Sequence, residues 1–173
     1  IKRKYKVVEK DIVIKEKVKY SGYGDLKTIY GYAHDWLKGE QFTVVEESYV
    51  EKVKSAGKDI DILWRASKKI TDYFKIDLDI KWKILLMEDV EVEVDGKKKK
   101  MNKFGEIAIE TKGLLIKDYT NQWNKSAATK FFKELYNKYV IPARTEKMKT
   151  QVEEIVQTFK DEMKAIMELT GKR

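Results

Sequence analysis

Between residues 74 and 86 the chain alternates without error. Phe74, Ile76, Leu78, Ile80, Trp82, Ile84 and Leu86 are apolar, and the positions between them are mostly Lys75, Asp77, Asp79, Lys81 and Lys83. Successive side chains of a strand point to opposite faces, so this pattern gives one apolar side and one wet side. Such a strand belongs in an antiparallel sheet with one solvated face. The apolar face needs a cover, which the rest of the chain has to supply. Val90, Val92 and Val94 keep the same parity. An unbent strand of that length is unusual, so a bend or break is expected near Met87–Asp89.

Other segments have the same period. Lys4 to Tyr20 interleaves Val, Ile and Tyr with lysines. Val8, Ile12 and Ile14 share one parity and Tyr5, Val7 and Val13 the other. The segment reads as one long strand with an irregularity near Glu9–Asp11, ended by a Ser21-Gly22-Tyr23-Gly24 turn. Phe42 to Val53 reads as a second strand, with Phe42, Val44, Ser48 and Val50 on one side. A Ser55-Ala56-Gly57-Lys58 turn leads to a third strand, where Ile60, Ile62, Trp64 and Ala66 alternate. Asp95-Gly96 signals a hairpin. The return strand runs through Phe104, Ile107, Ile109, Leu115 and Ile116, with Gly105 and Gly113 as candidate bulges or bends.

Helical spacing occurs in three places. Leu26, Ile29, Tyr30, Ala33, Trp36 and Leu37 recur at three and four residues behind Asp25, a capping residue. Ser126 can cap a helix through Phe131, Phe132, Leu135, Tyr136 and Tyr139. Pro142 suits the first position of a further helix, whose stripe is Met148, Val152, Ile155, Val156, Phe159, Met163, Ile166 and Met167. The fold class is therefore α+β: one domain, residues 1–173, with a curved antiparallel sheet covered by a long C-terminal helix of about 40 Å.

Composition narrows the chemistry. The 173 residues include no cysteine and one histidine, which excludes disulfides, thiolate metal sites and cysteine nucleophiles. Two-histidine metal sites are excluded too, and no cofactor or metal is expected. No apolar run approaches the ~20 residues of a membrane helix and no secretory signal is visible, so a soluble, cytoplasmic protein is expected. Asn124-Lys125-Ser126 matches a glycosylation acceptor by chance on that reading. The abundance of Lys and Glu suggests a thermophile. The net charge is +8. Residues 1–20 contribute eight basic and three acidic side chains, and residues 95–103 five and one.

Candidate reactive groups are few. His34, on the first helix beside Asp35, is a weak candidate for a general base. Asp77 and Asp79 share a strand face about 7 Å apart, but that face is the wet one, as it is for Glu91 and Glu93. The turn from Tyr20 to Asp25 has neither a P-loop nor a dinucleotide fingerprint. Lys97, Lys98, Lys99, Lys100 and Lys103 form a basic hairpin tip that could contact phosphates of a nucleic acid.

The order strand, helix, antiparallel strands, long terminal helix from Pro142 to Thr170 resembles the helix-grip superfamily, which includes START-like lipid-transfer domains, polyketide cyclases and the birch-pollen allergen group. Two features depart from it: a single helix separates the first two strands, and the helix from Ser126 to Tyr139 is additional. The resemblance implies an apolar or lipid-like ligand held between sheet and terminal helix. Trp64, Ile80, Trp82 and Ile84 would contribute from strands, and Phe159, Met163 and Ile166 from the helix. A ligand-binding protein without chemistry of its own is the leading expectation. A basic RNA- or ribosome-binding module is the alternative, and a cyclase- or hydrolase-type enzyme the third. Oligomeric state does not follow from the sequence.

Overall fold

The computed structural model describes residues 9–120 and 126–172. Tyr5, Val7, Val8 and Trp123 lie outside the described residues, as do Asn124 and Lys125 of the acceptor triplet. The elements in order are β1 (Glu9–Gly24), α1 (Leu26–Gly39), β2 (Thr43–Lys54), β3 (Gly57–Lys69), β4 (Phe74–Val94), β5 (Lys97–Lys117), α2 (Ala127–Tyr139) and α3 (Ile141–Thr170). The five strands form one antiparallel sheet in the order β1-β5-β4-β3-β2. The α+β class and the long terminal helix packed on the sheet are thus as the sequence predicts.

Period and burial agree closely in the centre of the sheet. Phe74, Ile76, Leu78, Ile80, Trp82 and Ile84 are buried, and Ile60, Ile62, Trp64 and Ala66 lie beside them on β3. The helices α1 and α3 supply the cover. Ile29, Ala33 and Leu37 of α1, and Val152, Ile155, Val156, Phe159, Met163 and Met167 of α3, complete the same core. α3 packs on β1, β5 and α1. It passes close over Gly113: a Cβ there would stand 2.6 Å from Val152 Cγ1 and 2.9 Å from Val156 Cγ2. This glycine lies opposite the β1 bulge between Ile12 and Ile14, as its pairing with Ile14 shows, and also under the crossing helix.

Several local expectations are corrected. The alternation of β4 ends at Ile84: Leu86 is 43% exposed and Met87 is buried in its place. Leu86 has φ 51°, so the expected bend falls there, and it bends the strand without breaking it. Gly105 of β5 lies across from it, where a Cβ would meet the Leu85 carbonyl at 2.9 Å. In β1 the irregularities lie between Ile12 and Ile14 and between Tyr20 and Gly22, not at Glu9–Asp11. Ser21–Gly24 continues the strand instead of ending it. In β2 a register shift between Glu46 and Ser48 splits the expected parity. Val44, Glu46, Tyr49 and Glu51 pair with the inward residues of β3, while Ser48 and Val50 pair with outward ones.

The helix ends follow local chemistry. Ser126 caps α2 through a reciprocal box with Thr129, the arrangement that satisfies orphan N–H groups at a helix start. Asp25 is the N-cap of α1, yet its carboxylate accepts from the Thr28 hydroxyl at 2.7 Å rather than from the backbone. Pro142 falls in the first turn of α3, where a missing N–H leaves nothing unsatisfied.

Candidate functional site

The seven positions that the resemblance assigns to a ligand come together in one place. Trp64, Ile80, Trp82, Ile84, Phe159 and Met163 are at most 1% exposed, and Ile166 packs against them half-buried. They touch one another and their neighbours. The Trp64 and Trp82 rings lie 5.0 Å apart, and Trp36 packs on Phe159 at 5.4 Å. None of the clefts described below is lined by any of the seven.

A polar cluster forms where α1 crosses β2 and β3. The Tyr30 hydroxyl donates to Glu46 Oε2, and Trp64 Nε1 donates to the same oxygen at 3.4 Å. The Tyr30 ring stands edge-on to Trp64 at 4.7 Å, with His34 on the same tryptophan at 6.1 Å. His34 Nδ1 lies 3.9 Å from Asp35, and the His34 side chain is 40% exposed. Burial first, and then the Glu46 carboxylate, push the Tyr30 phenol from 10.0 to about 12. A raised folded value means that the neutral phenol is favoured by the fold. Its contribution to stability is complete below pH 10 and is lost as pH rises towards 12. A tyrosinate absorbance titration is expected to show one phenol ionising near pH 12 in the wild type and earlier in Glu46→Gln. Identical curves would break the assigned pairing.

Three of the five hairpin lysines face carboxylates across the strands and two face valines. Across β4–β5, Glu91 faces Lys100 and Glu93 faces Lys98. Residues 88–103 hold five acidic and five basic side chains, while Lys97 and Lys99 at the tip face Val94 and Val92. A cleft of about 470 Å³ opens at its base, lined by Asp25, Asp89, Glu91, Lys100 and Asn102 among others. Asn102 closes part of it, accepting from the Leu26 N–H at 2.9 Å and donating to Asp89 at 2.7 Å. Asp77 and Asp79 are on the outer face, with Ser67 and Arg65 as partners. Among the described residues no group of three or more His, Cys, Asp or Glu could hold a metal ion.

An exposed apolar surface lies at the other end of the molecule, on α2. Two tethers hold this helix. Lys133 pairs with the buried Asp118 at 3.1 Å. Tyr136 stacks edge-on to Tyr73 at 6.3 Å and accepts from Arg144 Nη1 at 3.0 Å. The rest of its apolar arc faces outward: Phe131 and Phe132 are each 58% exposed and Tyr139 71%. Thr129, Phe132, Leu135, Tyr136, Tyr139 and Val140 line a groove of about 570 Å³. On the far side of Tyr136 a second cleft of about 480 Å³ runs over Tyr73, Phe74, Arg144, Lys147 and Met148.

The apolar period of α2 is visible in the sequence, but periodicity does not say which side of an amphipathic helix meets protein. The signal for exposure is charge. Residues 126–149 hold six basic and two acidic side chains, a third basic segment besides the N-terminus and the hairpin. No known family profile matches the chain, and no curated protein matches it significantly.

Proposed function

We propose that this protein binds an apolar or lipid-like small molecule, performs no chemistry on it, and takes it up at the α2 end of the sheet. The carrying observation is the groove of about 570 Å³ lined by Phe132, Leu135, Tyr136, Tyr139 and Val140. Ligand sites are typically concave, mostly apolar and ~300–1,000 Å³ in volume. The strand order, with the first strand beside the last, and the terminal helix on the sheet support the helix-grip resemblance and the apolar ligand class that it implies. Because the layer between sheet and α3 is filled by its own side chains, the exposed groove is the better place for a guest. Half-buried Met148, lining the adjoining cleft, adds an adaptable surface. The absence of cysteine is compatible with a cytoplasmic site of action.

The test is a fluorescence titration with cis-parinaric acid, a conjugated fatty acid. Leu135→Asp places a carboxylate on the groove wall, at a side chain that is 39% exposed and outside the core. The wild type is expected to bind the probe and Leu135→Asp to bind it at least tenfold more weakly, with an unchanged melting temperature. Equal affinity in the two proteins would remove the groove from the account.

A further inference from the structure

We infer that α2 is the element by which this protein lies on an anionic lipid surface. The inference rests on the proposed uptake of an apolar ligand in one respect only: it names a bilayer as the source of that ligand. The amphipathic geometry stands without it. At 100° per residue, Phe131, Leu135, Tyr139, Phe132, Tyr136 and Val140 span one half of α2, and Lys133, Lys130, Glu134 and Lys138 the other. A helix with aromatic and leucine side chains on one face and lysines on the other lies in the headgroup plane, its apolar face sunk into the acyl boundary. The tethers through Lys133 and Tyr136 hold the helix to the body while Phe131, Phe132 and Tyr139 stay in water. Phe131 is not part of the groove.

Charge selects the occupant. The segment 126–149 carries six basic and two acidic side chains, a net charge of +4, so it provides half of the chain's +8. Lys130 and Lys138 on α2, and Arg144 and Lys147 on the first turns of α3, are all exposed. A second copy docking through the same face would bring two like-charged segments together, each still net positive once Lys133 is paired with Asp118. An anionic lipid surface instead meets that charge with its opposite, and each lysine near such a surface strengthens binding by about fivefold. No described helix is long and apolar enough to cross a membrane, so contact would be along the surface.

Co-sedimentation of the full chain with vesicles tests this. One set is phosphatidylcholine alone and the other is phosphatidylcholine and phosphatidylglycerol in equal parts. The protein is expected to sediment with the mixed vesicles, to be released by salt, and to stay in the supernatant with phosphatidylcholine alone. The double variant Lys130→Gln, Lys138→Gln is expected to bind mixed vesicles roughly tenfold or more weakly, and Phe131→Ser to weaken binding as well. The single variant Lys130→Gln, at a residue that does not line the groove, should retain wild-type affinity for cis-parinaric acid, whereas Lys138 lies over the Tyr139 ring of the groove wall and Phe131 packs on Phe132. Failure of vesicle binding alone therefore overturns the docking inference and leaves the ligand reading intact. Failure of probe binding alone does the reverse. Equal binding to both vesicle types, or to wild type and variants, overturns it too. So does a dimer in analytical ultracentrifugation that Phe131→Ser dissolves, since the occupant would then be a second copy.

Discussion

Replacing Phe159 by alanine is expected to lower the free energy of unfolding by about 3–5 kcal/mol. Phe159 is 0% exposed and sits on α3 where that helix meets both the sheet and α1, with Trp36 against its ring at 5.4 Å. Truncation removes apolar burial and leaves a cavity that Val156 and Met163, one turn away on either side, cannot fill without moving the helix. In a chain of this size the thermal midpoint should fall by roughly 6–20 °C. Denaturant unfolding of the two proteins measures it. A loss below about 1 kcal/mol would mean that the core collapses around the gap, and that α3 is less firmly seated than its burial indicates.

The second large effect is expected at Gly113. Valine at this position places a Cβ 2.6 Å from Val152 Cγ1, 2.9 Å from Val156 Cγ2 and 3.2 Å from Ile14 Cγ2. All three are branched side chains in a close-packed layer, so none can swing clear. Overpacking of this kind costs about 1–3 kcal/mol, and the two added methyl groups push towards the upper end. The damage should concentrate at the α3–sheet contact. Hydrogen exchange is expected to quicken in α3 more than in β2 and β3, which β4 separates from the strand that holds the glycine. Uniform acceleration, or none, would show that the close approach of helix to sheet is not where this position acts.

Much of this architecture is legible in the sequence because it rests on period. The alternation from Phe74 to Ile84, the Ile60–Ala66 strand and the α3 stripe each predict a face, and each face is buried. The misreadings occur where the backbone departs from a regular period. One residue at φ 51°, Leu86, turns its own side chain outward and brings Met87 inward. A shift between Glu46 and Ser48 pairs Val50 with an outward residue of β3 and Tyr49 with an inward one, although both side chains stay about half exposed. No residue type in β2 announces that shift. Gly113 could be picked out as special and does lie opposite a bulge, but its further reason, a helix distant in sequence, required the fold.

The functional surface was less legible for a different reason. Strand and helix faces rich in Trp, Ile, Phe and Met read equally well as core or as pocket, and only packing separates the two. Here Trp64, Trp82, Phe159 and Met163 fill the space between the layers. The α2 stripe has the same periodic signature, yet Phe131, Phe132 and Tyr139 are exposed. The hairpin lysines illustrate a further limit, since Glu91 and Glu93, across from Lys100 and Lys98, become visible as neighbours only through strand register.

The central claim is that an apolar guest occupies the α2 groove, and native mass spectrometry of the full chain with cis-parinaric acid tests it most directly. The account predicts a complex of one protein and one probe for the wild type, lost on denaturation and absent for Leu135→Asp under the same conditions. A bare protein mass in both, or the same complex in both, would contradict it.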